Sequence, residues 1–499
     1  MSAIRCRIAP SPTGPLHLGT ARTALFNYLF AKKMGGTFIL RLEDTDVARS
    51  TVAFEQDILD GLHWLGIDWD EGPEVAGQPA RGPYGPYRQM QRLEHYAAAA
   101  DKLLAADKAY YCYCTKEELD ADRHAQEAAH QPPHYVGRCA HLSAAVQAAK
   151  VAAGVKPVIR FRVGQELVKF DDIVRGTVEI DTTALGGDLI IVRSDGTPLY
   201  HFTVVVDDVE MEISHVIRGE DHLSNTPKHI LLFRAMGADV PQFAHLPLIL
   251  NPDRTKMSKR KSQTAVADYR AQGYIPEAFV NFLALLGWAS GTEEEIFTLA
   301  ELGERFSLDK VHSGGAVFDK ERLEWLNGQW IRKLSDDELV ERALPFLSAA
   351  VAARGAAGED VRVPTADDLA PLMPMVRERM ATLSGVGDML DFLFVDDLRV
   401  EPEMLVPKKW DRPTTLTALT AAREVVAETG KVSYEAEELE APLRQLAEER
   451  GWKVGDLFMA IRVAITGKTA TPPLFDTLVA LGYERSLERL DAARAALQA

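Results

Sequence analysis

The chain has 499 residues, more than one compact core usually holds, so two to four domains are expected. A hydrophobic fraction of 46% and a charged fraction of 26% are ordinary for a soluble protein. No apolar run reaches the roughly 18 residues of a membrane span, and Met1-Ser2-Ala3-Ile4-Arg5-Cys6-Arg7 lacks the apolar core of a secretory signal; a cytoplasmic location with no membrane partner is expected. The net charge of −17, from 56 basic and 73 acidic residues, argues against a protein that coats nucleic acid unspecifically, but leaves room for a local basic track such as Lys256 to Lys261.

Ile4 to Ala9 reads as a short strand, and Pro10-Ser11-Pro12-Thr13-Gly14-Pro15 then forces a tight loop. Thr20 to Met34 places Ala21, Ala24, Leu25, Tyr28, Leu29 and Ala31 largely on one helical face, and Gly35-Gly36 ends it. Thr37 to Leu42 follows as a second strand. This order begins a parallel α/β sheet whose ligand edge lies at the strand C-termini, where Ser11 to Gly19 and Glu43-Asp44 fall. Ala97 to Ala105 reads as helix and Tyr110 to Thr115 as strand; residues 116–150 are polar and broken by Pro132-Pro133. Val158 to Val163 and Asp188 to Arg193 look like strands, with a hairpin-type turn at Ser194-Asp195-Gly196-Thr197. The α/β pattern resumes at Tyr200 to Asp208, Val216 to Gly219 and the helical stretch Thr226 to Met236.

From about residue 335 helical periodicity takes over. Leu439, Leu443 and Leu446 share one face and Leu457, Ile461 and Ile465 another, with Gly467 as a stop. Ala349 to Gly358 reads as a small-residue loop or linker. The expected fold is therefore α/β: a Rossmann-type catalytic domain over 1–97 and 198–254, an inserted α+β domain over 98–197, a basic-loop region over 255–334, and an all-α region over 335–499.

Two strings carry the chemistry. In Pro15-Leu16-His17-Leu18-Gly19-Thr20, an imidazole donor sits on a Gly-punctuated turn at a helix N-terminus, where backbone N–H groups and the positive helix end favour phosphate. In Lys256-Met257-Ser258-Lys259-Arg260-Lys261, several cations follow the turn-forming Asn251-Pro252-Asp253. Together they resemble the paired nucleotide-binding signatures of class I aminoacyl-tRNA synthetases. An adenylating enzyme must hold ATP while a carboxylate attacks the α-phosphorus and pyrophosphate leaves, so phosphoryl charge must be neutralised.

Arg7 to Gly14, Phe38 to Asp46, Gly85-Pro86-Tyr87-Arg88-Gln89, Val205-Val206-Asp207-Asp208 and Val216 to Asp221 further resemble bacterial glutamyl-tRNA synthetases, and Gly314 to Asp319 continues the likeness. The resemblance implies His17, Lys256 and Lys259 as catalytic groups, with Lys259 chief among them in stabilising transition-state charge. It implies an ATP site of Pro10, Ser11, His17, Gly19, Thr20, Lys256 and Lys259, and a glutamate site of Arg7, Ala9, Ser11, Glu43, Tyr200 and Arg218. The charges fit independently: Arg7 and Arg218 suit substrate carboxylate and Glu43 the α-ammonium. Glutamine would leave an arginine partly unpaired, a loss of roughly 3 to 5 kcal/mol in a buried site. Val204 stands where some family members carry an asparagine, so it is assigned no polar contact.

Four cysteines in 499 residues argue against a disulfide scaffold, yet three crowd together. Cys112 and Cys114, then twenty-four residues, then Cys139 and His141 offer three thiolates and an imidazole, a set that suits tetrahedral Zn²⁺. Spacing alone leaves zinc and coincidental cysteines both open; the zinc-bearing subgroup of glutamyl-tRNA synthetases shows the same pattern, which implies one structural Zn²⁺ per chain. Tyr135 competes with His141 as the fourth ligand. Cys6, alone in a strand, reads as core packing.

The resemblance also implies L-glutamate, Mg²⁺-bound ATP and tRNA-Glu as partners, a requirement for tRNA even in the first step, and a monomer. The insertion would meet the acceptor stem and the helical region the anticodon loop, whose splayed bases are read on their edges, with Arg379 at a position implicated in anticodon reading. Three alternatives stay open. Glutaminyl-tRNA synthetases end in β-barrels, whereas residues after 335 read as helical. A short paralogue acting on a modified tRNA base lacks the C-terminal module and the intact second signature. A non-catalytic RNA-binding paralogue is opposed by the retention of His17, Lys256 and Lys259.

Overall fold

The structure is a computed structural model describing residues 3–75, 77–257 and 263–499; Lys259 falls outside the described residues. The chain divides into two units, Met1–Tyr269 with Phe279–Lys320, and Arg270–Ala278 with Glu321–Ala499.

In the first unit β1 (Arg5–Ile8) is buried along its whole length, as a strand covered on both faces must be. The loop after it leads into α1 (Leu18–Lys33), which starts two residues earlier than the periodicity predicts because His17 is its cap. Gly35, at φ +62°, closes the helix in the left-handed region. At Gly36 a Cβ would stand 2.4 Å from the carbonyl oxygen of Ile4, so only glycine lets the chain turn back so tightly. It returns as β2 (Thr37–Leu40), parallel to β1 with Cys6 opposite Phe38.

Helices α2 (Val52–Trp64) and α3 (Leu93–Ala105) lead to β3 (Ala109–Cys112), α4 (Lys116–Ala128), α5 (Ala144–Ala152) and β4 (Val158–Phe161). A hairpin, β5 (Leu167–Asp172) with β6 (Gly176–Asp181), precedes β7 (Leu189–Val192). Strands β3, β4 and β7 form a small antiparallel sheet. Then come α6 (Tyr200–Glu210), β8 (His215–Gly219), α7 (Thr226–Ala235) and β9 (Gln242–Leu246). The main sheet runs β2-β1-β8-β9-β5-β6, parallel except for the β5–β6 hairpin. That hairpin lies within 98–197, yet Asp172 pairs with Phe243 of β9, so this part of the segment extends the main sheet. Helix α6 carries the β-branched run Val204-Val205-Val206; burial of Phe202, Val205 and Val206 in the core beside Ile230, Leu232 and Phe243 overrides strand propensity.

The second unit is helical. Ser335 caps the helix Asp336–Ala356 in a reciprocal capping box with Glu338. Arg412–Gly430, Ala436–Glu449, Val454–Thr466, Leu474–Leu481 and Tyr483–Gln498 surround a core including Leu419, Leu443, Ile461, Leu478 and Leu490. Gly467 terminates its helix at φ +69°, as expected. Ala349 to Gly358 is a correction: it is helical through Ala356 rather than a linker. Alanine is the strongest helix former, and the small side chains let another backbone close in, with a Cβ at Gly387 standing 2.6 Å from that of Ala350. No helix among the described residues is long and apolar enough to cross a membrane.

Candidate active site

The first signature and the described start of the second, Lys256-Met257, line one site at the C-terminal ends of β1 and β8. His17 caps α1: its Nδ1 accepts from the Thr20 N–H at 3.4 Å, so the neutral ring carries its proton on Nε2, 3.1 Å from the Thr20 hydroxyl. The chain on either side of residues 258–262 is tied to this corner. Leu18 N–H donates to the Thr264 carbonyl (2.8 Å) and Val266 N–H to that of Leu16 (2.9 Å). On the near side, Met257 N–H bonds the Ile249 carbonyl (3.1 Å), and the Lys256 ammonium lies 3.8 Å from Asp221. Lysine 256 is therefore held over the strand edge that also carries Arg218.

Beneath it lies a floor of buried charge. Arg7 grips Asp208 with Nε and Nη2 at 3.1 and 3.2 Å, leaving three of its five N–H groups for other partners. Arg41, fully buried, reaches Asp208 (2.8 Å), Asp207 (3.5 Å) and Glu43 (3.4 Å). Asp207 also receives Arg92 (2.7 Å), Gln89 (2.8 Å) and the Tyr96 hydroxyl (3.0 Å). Burial alone would raise the Asp208 carboxyl, but Arg7 and Arg41 hold it below the usual carboxylate value. Glu43 is the opposite case: burial, only partly offset by Arg41 and Arg7, pushes it up to about 7. Such a carboxyl gains most from a further cation.

Arg218 is buried without a carboxylate partner among the described residues, and burial pulls its guanidinium down to about 10. Its neighbours are neutral acceptors on His245, His229, Thr226 and His222. Tyr200 places its hydroxyl 3.2 Å from His222 Nδ1, and burial pushes that phenol up to about 12.

These groups open on one cavity of about 1030 Å³. Its wall includes Pro10, Ser11, His17, Gly19, Thr20 and Lys256, and also Arg7, Ala9, Glu43, Tyr200 and Arg218. Val204 lines it too, without offering a polar atom. The sequence reading missed Arg22, Arg193, Asp221 and His222, which also line the cavity, and the Asp207–Asp208 pair behind it. The signal for the pair was present: two acids ending a Val-Val-Val run on a buried helix must have cationic partners.

Away from the cavity, Cys112, Cys114 and Cys139 bring their sulfurs within 4.8 Å of one another, with Cys114 and Cys139 at 3.6 Å. Tetrahedral Zn–S bonds of about 2.3 Å set sulfurs about 3.8 Å apart, so the donor set fits the ion. The two candidates for the fourth corner are placed differently. The Tyr135 hydroxyl lies 3.4 and 3.6 Å from Cys112 and Cys114 and accepts from the Cys139 N–H at 3.1 Å, whereas His141 is exposed on the turn after Cys139 and does not join the group. Gly187 makes room for Tyr135: a Cβ there would meet its carbonyl oxygen at 2.7 Å. In the helical unit Arg379 is exposed on the 377–379 turn; burial lowers the pKa of the Arg462 guanidinium, and the charge of Arg379 adds to that.

Residues 3–325 match the family model of class I tRNA synthetases (E and Q), catalytic domain, and residues 338–494 that of an anticodon binding domain. Among curated proteins, glutamate–tRNA ligase of Symbiobacterium thermophilum is 46% identical over 98% of this chain and 99% of its own length. That of Heliobacterium modesticaldum is 46% identical over 98% and 96%. A crystal structure of a glutamate tRNA ligase from Elizabethkingia meningosepticum in complex with its amino acid superposes with a TM-score of 0.84 at 34% identity, covering 99% of this chain and 100% of that one. With the catalytic and anticodon models in this order on an α/β and then all-α chain, and relatives alike from end to end, the chain belongs to the glutamate–tRNA ligase family of class I tRNA synthetases.

Proposed function

We propose that the chain uses ATP to convert L-glutamate to glutamyl-adenylate and transfers the glutamyl group to the 3'-terminal adenosine of tRNA-Glu. The observation that carries this reading is the single cavity shared by His17, Lys256, Glu43, Arg7 and Arg218. Glu43 receives the α-ammonium, Tyr200 closes over the substrate and Arg218 takes the side-chain carboxylate. Arg7 is already neutralised by Asp208, so Arg218 is the cation that demands full negative charge and rejects the neutral amide of glutamine.

The α-carboxylate attacks the α-phosphorus in line, and pyrophosphate leaves. His17 and the N-terminal N–H groups of α1 face the triphosphate with Pro10, Ser11, Gly19 and Thr20, while Lys256 and Lys259 neutralise charge on the leaving group. Mg²⁺ accompanies ATP and supplies further phosphate neutralisation. In the second step a hydroxyl of the terminal ribose attacks the carbonyl carbon and AMP departs.

Residues 98–197 contact the acceptor stem, with Cys112, Cys114, Cys139 and Tyr135 holding one structural zinc. Residues 335–499 meet the anticodon, Arg379 among them, and 255–334 joins them to the catalytic body of 1–97 and 198–254. We assign a monomer, acting in the cytoplasm. The test is aminoacylation with labelled glutamate or glutamine on purified tRNA-Glu and tRNA-Gln, with pyrophosphate exchange measured with and without tRNA. Glutamate on tRNA-Glu is expected; transfer of glutamine overturns the assignment.

A further inference from the structure

Arg218 spends four of its five N–H groups inside the protein. Nε donates to His245 Nε2 at 3.2 Å, Nη1 to His229 Nδ1 at 3.1 Å, and Nη2 to the Thr226 hydroxyl at 2.9 Å and the His222 carbonyl at 3.4 Å. Every acceptor is uncharged. Arg7 and Arg41 in the same site bond carboxylates directly.

Two imidazoles can accept here only in one tautomer each, and the structure fixes both. His245 Nδ1 lies 2.6 Å from the Asp172 carboxylate, which only accepts, so the proton sits on Nδ1 and Nε2 is bare. The other Asp172 oxygen receives the N–H groups of Val174, Arg175 and His245, which ties the carboxylate to the turn joining β5 and β6. His229 accepts on Nδ1 and carries its proton on Nε2, 3.1 Å from His201 Nδ1. Burial lowers His245 and His229, so both remain neutral beside the guanidinium.

We propose that Asp172, His245 and His229 are positioning residues for charge selection: they hold Arg218 rigidly through neutral acceptors, so its uncompensated charge and its one remaining N–H meet the substrate's side-chain carboxylate. A carboxylate in place of either imidazole would fix the guanidinium equally well but cancel the charge that separates glutamate from glutamine. This inference rests on the glutamate-activating function proposed above and names the residues that make its specificity.

Asp172→Asn is the discriminating variant. The asparagine oxygen can keep the backbone bonds of the turn, but its NH₂ then faces His245 Nδ1 and donates, moving the imidazole proton to Nε2, where it faces the Arg218 Nε–H at 3.2 Å and the Thr226 hydroxyl at 3.1 Å, so the guanidinium loses that acceptor. With a bond to a charged group turned into a donor–donor contact, KM for glutamate is expected to rise about tenfold to a hundredfold while KM for ATP stays unchanged. Adding His245→Gln, whose amide oxygen accepts whatever residue 172 supplies, is expected to recover most of the loss. Unchanged glutamate KM in Asp172→Asn, a parallel rise in ATP KM, or no recovery in the double variant overturns the proposal. If Asp172→Asn does not fold, His229→Leu against His229→Asn gives the second reading: the asparagine keeps an acceptor and is expected to lose several-fold less in glutamate KM, and equal losses count against the proposal. Failure of the wild type to charge tRNA-Glu would overturn the function itself; an active wild type with unaffected variants overturns only the positioning role.

Discussion

Replacing Glu43 with glutamine should strengthen the empty protein and weaken its hold on glutamate. The carboxyl is pushed by burial from 4.5 up to about 7. Below 4.5 it is neutral in both the folded and the unfolded chain and costs nothing. As pH rises the unfolded state ionises first, so stability falls until about 7 and is level above it. At about 1.4 kcal/mol per pH unit the total is about 3 kcal/mol. Glu43→Gln removes that penalty, while Arg41 keeps Asp207 and Asp208, so at pH 8 the variant is expected to be more stable than wild type by up to about 3 kcal/mol and to melt several degrees higher. The same change takes the charged partner from the substrate's ammonium, a loss of about 2 to 4 kcal/mol, or about thirtyfold to a thousandfold in KM for glutamate. Wild-type affinity should also rise with pH between 6 and 8, since the ammonium needs the ionised carboxylate, and this dependence should vanish in the variant. Scanning calorimetry at pH 8 and steady-state aminoacylation across that range measure both. A variant less stable than wild type with an unchanged glutamate KM would refute the reasoning.

Lys259→Ala should slow adenylate formation by about two to three orders of magnitude through lost charge stabilisation, and equal rates in a pyrophosphate-exchange assay would remove that lysine from the mechanism. Cys139→Ser should purify with little zinc and His141→Ala with the wild-type content; metal analysis giving the reverse would restore His141 as a ligand and displace Tyr135. In the helical unit Arg489 donates to the carbonyls of Ile465, Phe392 and Val395. Val395 also receives Arg485 and Phe392 the Val395 N–H, so Arg489→Met should cost about 1 to 3 kcal/mol, chiefly by stranding the Ile465 carbonyl. A change below about 1 kcal/mol in urea unfolding would show that this carbonyl finds another partner.

The sequence by itself determined the strand–loop–helix–strand opening, the helical C-terminal region and the two signatures, because local hydrophobic period, turn residues and short charged strings are written in consecutive positions. It also gave Arg7, Glu43, Tyr200 and Arg218 as one constellation by resemblance, and the structure brings all four to one cavity. Some features escaped because their cause lies far along the chain. Arg7 and Asp208 are 201 positions apart, so nothing local to Arg7 reveals that its charge is already matched while that of Arg218 is not. His141 sits at ligand spacing, yet the turn after Cys139 leaves it exposed, while the chain packed closely at Gly187 sets the Tyr135 hydroxyl beside the thiols. The β5–β6 hairpin joins the main sheet through Asp172 opposite Phe243, and that pairing is what sets a carboxylate behind His245. Residue types and order named the chemistry; only tertiary packing decided which charges are neutralised and which are left for a substrate, because burial and partner distance, not identity, set the state of a buried ion.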